Sequence, residues 1–238
     1  MKINWFYIRM TGLVLVTLFL VAFSHKRNAQ RKVKDVAVHF EAGANLFITA
    51  ETVDKLLIQN EKTLKGQVKE ILDLNKLEEL LDAHAMIADA DVYLTLDGVV
   101  GAIVKQRKPL ARVPAQKPFY IDEQGAAMPL SSNYSARVPI IDGLQKDQID
   151  EVYPLLNYIQ QDPLLAKQIV GISRNNTGDY ILMPRVLNYK IRLGKVKDLQ
   201  SKFANYKAFY QKAIKDNSLS VYKIVDLRFN GQVVGTKI

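Results

Sequence analysis

The sequence predicts an α+β protein: an N-terminal transmembrane helix, a small βααββ module, and a mixed β-rich domain with an antiparallel sheet and flanking helices. Three observations carry this. Trp5 to Phe23, "WFYIRMTGLVLVTLFLVAF", is apolar apart from Arg9 and two threonines, close to the ~20 residues a bilayer core requires. From there to Gln106, apolar residues recur with strand and helix periods in turn. Beyond Arg107, Pro109, Pro114 and Pro118 follow one another quickly, and short strand-like runs take over.

Trp5, Tyr7 and Arg9 lie at one end of the apolar stretch, where aromatic rings settle at the interface and an arginine reaches back to headgroups. A cleaved signal peptide is the rival reading, since Ala22-Phe23-Ser24 resembles a small-x-small cleavage site. Lys26, Arg27, Arg31, Lys32 and Lys34 follow the stretch, whereas only Lys2, Arg9 and the terminal amine precede or enter it. That count alone puts the large C-terminal part in the cytoplasm, although long domains translocate despite flanking charge.

Val36, Val38 and Phe40 alternate with Asp35, Ala37 and His39, a strand. Thr49 caps a helix with Glu51 at its positive end and Val53, Leu56 and Leu57 on one stripe, ending at Asn60. Glu61 to Glu70 reads as a polar insertion. Asn75 with Glu78 predicts a capping box for a short helix that turns Leu77, Leu80 and Leu81 inward. Ile87 to Leu96 and Val99 to Gln106 are strands joined at Asp97-Gly98, a strong hairpin dipeptide.

In the second half, Phe119 to Asp122 and Val138 to Ile141 read as strands. The helical pattern of Ile149, Val152, Leu156 and Ile159 is interrupted by Pro154. Strands are predicted at Gln168 to Ser173, Tyr180 to Met183 and Lys190 to Leu193. From Val196, the spacing of Leu199, Phe203, Tyr206, Tyr210 and Ile214 predicts an amphipathic helix with Lys197, Lys202, Lys207 and Lys212 outside. Val221 to Phe229 and Gln232 to Ile238 form a last hairpin around Asn230-Gly231, and its second strand lies at a sheet edge blunted only by Lys237. The expected division is a tail over 1–4, the span over 5–24, a linker over 25–35, the first module over 36–113 and a β domain over 114–238.

The 238 residues carry 33 basic and 24 acidic side chains, and setting Lys2 and Arg9 aside still leaves 31 against 24. The excess is dispersed over helical faces, which points to solvated surface rather than a nucleic-acid footprint. With no cysteine, disulfides and thiolate chemistry are excluded. His25, His39 and His84 are scattered, without a second ligand at helical spacing. Asp89 and Asp91 share the polar face of one strand. Asn133-Tyr134-Ser135 and Asn175-Asn176-Thr177 match a glycosylation pattern that polar loops produce by chance. No nucleophile elbow, phosphate-cradling loop or metal quartet is present, so neither catalysis nor a cofactor is predicted.

The first unit's element order resembles that of a POTRA domain, a module for protein contact beside membranes. "QRKPLARV", Gln106 to Val113, is similar to the Glu-Arg-x-Pro-x-Ala exit of the FtsQ/DivIB family of bacterial division proteins, with Gln106 in place of the usual Glu. "YIDEQG" (Tyr120 to Gly125), "PIIDG" (Pro139 to Gly143), "RLG" (Arg192 to Gly194) and "VDLRF" (Val225 to Phe229) then follow in the family's order.

The resemblance implies a single-span inner-membrane protein with a cytoplasmic N-terminus and periplasmic POTRA and β domains, the reverse of the charge count. It implies a non-enzymatic divisome scaffold at the septum, without cofactor. The scaffold binds FtsB and FtsL, contacts other divisome proteins such as FtsK, FtsW and FtsI, and helps regulate septal peptidoglycan synthesis. FtsB would add a strand to the last one here. Arg228 would then pair with a partner carboxylate, Phe229 would make an apolar contact, and Val233, Val234, Gly235 and Thr236 would offer the backbone edge. Thr236 stands where some relatives carry an aromatic residue. The alternative reading of the terminal residues packs Phe229 and Val233 inside the domain and pairs Arg228 with Asp226. Two other functions fit parts of the pattern: a POTRA-bearing accessory of outer-membrane protein assembly or secretion, and an anchored cell-wall enzyme with a carboxylate site.

Overall fold

The computed structural model describes residues 5–29, 31–41, 47–60, 66, 68, 72–186 and 188–238. The chain divides into two compact units, Met1–Gln106 and Arg107–Ile238.

The first unit opens with α1 (Trp5–Ala29), whose stretch Arg9–Arg27 has a mean hydropathy of 1.3 and the length to cross a membrane. The helix runs on past Ser24 into the expected linker, and the expected tail at 1–4 lies outside the described residues. Then come β1 (Asp35–Phe40), α2 (Ala50–Asn60), α3 (Leu74–Asp82), β2 (Ile87–Leu94) and β3 (Val99–Gln106), the βααββ order read from the sequence. β3 is central, parallel to β1 and antiparallel to β2. The β2–β3 turn is the expected one, with Gly98 at φ +94° and its N–H bonded to the Thr95 carbonyl. Val53 and Leu57 of α2 and Leu77 and Leu81 of α3 are buried with Ile87, Val92, Val100 and Val104 of the strands. Asp89 and Asp91 are exposed, alternating with buried Ala90 and Val92.

Thr49 caps α2 as expected, its hydroxyl accepting from the Thr52 N–H at 3.2 Å. The cap of α3 differs. Asp73, not Asn75, has the extended backbone of a cap residue and accepts from the Lys76 N–H at 3.2 Å, so Asn75 falls inside the first turn. Glu78 is thereby freed for another task, accepting from the Val92 N–H at 3.3 Å and tying α3 to β2. The expected insertion at 61–70 lies outside the described residues apart from Gly66 and Val68.

The second unit is built on one nine-stranded sheet in the order β12-β11-β10-β9-β8-β7-β4-β5-β6. Its strands are β4 (Pro109–Val113), β5 (Phe119–Asp122), β6 (Ala127–Pro129), β7 (Ile140–Asp142), β8 (Ile169–Arg174), β9 (Tyr180–Pro184), β10 (Lys190–Gly194), β11 (Tyr222–Asp226) and β12 (Val234–Lys237). Neighbours are antiparallel except at β4–β7, β7–β8 and β10–β11. The last two joins follow from crossover helices: α4 (Ile149–Gln161) and α5 (Pro163–Gln168) precede β8, and α6 (Leu199–Lys215) precedes β11. β4 corrects the expected module boundary at residue 113, because its partners are β5 and β7 of the second unit. Arg107 belongs there too, since its Nη1 donates at 2.9 Å to Asp122, a carboxylate 1% exposed that also accepts from the Gln124 and Ala126 N–H groups.

α4 continues through Pro154, which sits on the exposed side of the helix. In α6, Phe203 and Tyr206 are buried as predicted, but Ala213 is inside and Ile214 half-exposed. Lys202 and Lys207 are not simply outside. Lys202 Nζ donates to the carbonyls of Leu193 and Lys195 at 2.8 and 2.9 Å, and Lys207 pairs with Asp162, the cap of α5.

Candidate partner-binding edge

β11 is where the sheet's last parallel join meets its last antiparallel one. On one side Lys190, Ile191 and Arg192 of β10 run parallel to Ile224, Val225 and Asp226. On the other, Val225 faces Gly235 and Asp226 faces Val234 of β12. Val225 is fully buried, and the Leu227 N–H carries the ladder one step past the strand to the Arg192 carbonyl at 2.8 Å.

The hairpin differs from the two-residue turn that Asn230-Gly231 predicts. Residues 227–233 lie between the two strands, with Gly231 at φ +71°. The cause is local. The Asp226 carboxylate accepts from the Arg228 N–H two residues on, at 3.1 Å, a side-chain bond that competes with the ladder. The Leu227 N–H is already taken by Arg192 on the far side, so the chain leaves β12 after Asp226.

Of the predicted site residues, Arg228 takes the intramolecular partner. Its Nε and Nη2 donate to the two Asp226 oxygens at 2.9 and 2.6 Å, while about half of the side chain stays exposed. Burial opposes the ionised form of Asp226, but the hydrogen bonds from Arg228 and the charges of Arg228 and Arg192 outweigh it and hold the carboxyl below its ordinary value. Gly194 makes this possible. A Cβ there would lie 2.8 Å from Arg228 Cγ, and its φ of +72° suits glycine. The "RLG" and "VDLRF" motifs thus meet at one corner, where sequence reading named only Arg228 and Phe229. A motif glycine beside a motif arginine is the signal that would have joined them.

Phe229 is 46% exposed in the loop. Val233 is half-buried and packs on the core, so the expected pair divides between surface and interior. Val234, Gly235 and Thr236 are exposed along β12, the outermost strand of the described sheet. Gly235 is needed by its neighbour: a Cβ there would stand 2.5 Å from Tyr222 Cε1, and that ring meets Phe209 of α6 edge-on at 5.1 Å. Phe209, Tyr222, Val233, Gly235 and Lys237 line a depression of about 290 Å³ beside the strand.

An edge strand of this kind presents backbone donors and acceptors to an added strand, with alternate side chains to select it. Among the described residues, no group of three or more His, Asp or Glu is placed to hold a metal ion.

Two family models match the chain. One, described as FtsQ/DivIB, C-terminal related, covers residues 108–236, more than half of the chain. The other, a POTRA-like domain, covers residues 32–105. A search of curated proteins returns no match.

Proposed function

We propose a function from one premise: the chain belongs to the family described as FtsQ/DivIB, C-terminal related. It is a cell-division scaffold, held to the inner membrane by α1 with its N-terminus in the cytoplasm and both folded units in the periplasm, and it works at the septum without catalysis. It binds FtsB and FtsL, meets FtsK, FtsW and FtsI in the divisome, and helps regulate septal peptidoglycan synthesis. FtsB docks by adding a strand to β12. Family membership supports the scaffold role, and the POTRA-like match supports a second protein-contact module. The docking mode is carried by one observation: β12 is outermost in the sheet, and all four of its residues are exposed.

In this reading Arg228 serves two carboxylates, Asp226 inside and one on the partner, while Phe229 makes an apolar contact and residues 233–236 give the backbone edge. An arginine carries five donor hydrogens in a fixed fork, enough for both.

The test is capture from detergent-solubilised membranes by the full chain and by a variant ending at Asn230, with folding checked by circular dichroism. Capture of FtsB and FtsL by the full chain alone is expected. Equal capture by both proteins would move the docking site away from β12, and normal division after depletion of the protein would overturn the scaffold role itself.

A further inference from the structure

We propose that the first unit sits on the bilayer through an anionic-lipid seat. Lys26, Arg27, Arg31, Lys32 and Lys34 bind lipid headgroups, and Leu96, at the tip of the β2–β3 hairpin, enters the interface among them. The inference goes beyond the scaffold reading and needs only that α1 spans the membrane, whichever side the units occupy.

Covalent reach places the cluster. The spanning stretch ends at Arg27, and four residues later the chain is at Arg31, no more than about 14 Å away even when fully extended. The polar headgroup layer and the screening length at physiological salt are each several ångströms deep, so cations held within that reach feel a charged membrane surface.

Hydrogen bonds then bring the hairpin tip to the same place. Arg31 Nη1 donates to the Leu96 carbonyl at 3.0 Å, and the Lys34 N–H donates to the Gly98 carbonyl at 2.7 Å. Gly98 lets the linker lie this close, since a Cβ there would stand 2.8 Å from the Lys32 carbonyl oxygen. Leu96 is 78% exposed. It lines a cleft of about 990 Å³ together with Leu20, Val21 and Phe23 of α1 and the cations Arg27 and Arg31.

The tip is therefore level with the last apolar turns of the spanning helix. An apolar side chain beside cations is the pattern of an interfacial contact, with the apolar group at the acyl boundary and the charges on headgroups. Five cations face two carboxylates in these segments, Asp35 and Asp97, so the complement is an anionic surface.

The absence of cysteine makes the test direct. The full chain carrying Leu96→Cys is labelled with an environment-sensitive fluorophore and placed in phosphatidylcholine nanodiscs, with or without phosphatidylglycerol. Lipids spin-labelled near the headgroup serve as quenchers. The expected result is a blue shift and strong quenching in the anionic discs, relieved by salt.

Lys26→Gln, Lys32→Gln and Lys34→Gln together break no side-chain hydrogen bond or ion pair among the described residues, and shift the seated equilibrium on the order of a hundredfold. Equal signals in the two kinds of disc would overturn the proposal, as would quenching that survives the triple variant. So would a blue shift produced in neutral discs by soluble polyglutamate without lipid quenching, which would assign the cluster to an acidic polymer.

Discussion

The Arg228 guanidinium closes on the Asp226 carboxylate from two residues away, with Nη2 2.6 Å from Oδ2 and Nε 2.9 Å from Oδ1. The same carboxylate accepts the Arg228 N–H, so one buried acid shapes the loop and aims the side chain. The side chain reaches it by crossing Gly194 of the neighbouring strand. A local contact thus depends on a distant strand, and the corner's conformation is fixed before any partner arrives.

Substitutions at the two ends of this pair should separate stability from docking. Arg228→Ala strands a buried carboxylate and is expected to cost about 1–2 kcal/mol of stability, the modest end because half the arginine faces water. It should also weaken partner capture. Asp226→Asn keeps an acceptor for the Arg228 N–H but releases the guanidinium, so it should lower the melting temperature while sparing capture. Loss of capture in both variants to the same degree would leave Arg228 with a structural role alone.

The pair also fixes a pH dependence. A carboxyl whose folded value lies below its unfolded one stabilises fully above the ordinary aspartate range, and that stability is lost as pH falls through the folded value. Asp226 is held low in this way, and so is Asp162, where hydrogen bonds from Lys207 and the α5 amides outweigh burial. The melting temperature should stay flat near neutrality and fall below about pH 4. Arg228→Ala should flatten part of that acid loss, seen in thermal melts from neutral to acid pH.

Elements closed by short-range chemistry were legible in the sequence. Asp97-Gly98 marked its turn, Thr49 its cap, and the strand period located Asp89 and Asp91 in water. What failed needed a distant partner. β4 falls in the first module by the sequence, because the run of prolines from Pro109 to Pro118 marks a joint without fixing its exact place, yet its partners are β5 and β7. The hairpin looked tight because Asn230-Gly231 is a strong signal, but Asp226 and the Arg192 carbonyl end β11 earlier. Ile214 was placed inside by extending the stripe of α6 too far, where the helix end turns Ala213 to the core instead. At the candidate edge the sequence names Arg228 and Phe229 but not the steric parts of Gly194 and Tyr222, which appear only across strands.

Asp122 is the second carboxylate on which local structure depends. It holds Arg107 and two amides of the β5–β6 turn at 2.8 to 2.9 Å. Asp122→Ala removes all three acceptor contacts from a site closed to water and is expected to cost about 3 kcal/mol, read as a fall in the denaturation midpoint. Asp122→Asn, which retains an acceptor for the turn, should cost less. Equal losses would make the charge rather than the turn bonds decisive.

Gly235 sits under the Tyr222 ring, which is itself held edge-on by Phe209. Gly235→Ala forces the ring to move against that neighbour, an overpacking expected to cost about 1–3 kcal/mol. The same substitution in a Tyr222→Ala background should cost clearly less, because the obstacle is gone. A double-mutant cycle by urea unfolding checks this, and purely additive costs would contradict the steric account.

Phe229 and Val233 provide the sharpest contrast, because the sequence treated them alike and the structure does not. Phe229 is 46% exposed in the loop, so Phe229→Ala should leave stability within about 0.5 kcal/mol. Val233 packs against the core, and Val233→Ala should cost about 1 kcal/mol through lost burial. If Phe229 anchors an added strand, its removal should instead weaken capture by about 2 kcal/mol or more, near a thirtyfold loss of affinity. Measured side by side, a loss of affinity without a loss of stability at Phe229 would assign the exposed ring to the partner. A large stability loss at Phe229 would return it to the interior, and an unchanged affinity would leave strand addition to the backbone of β12 alone.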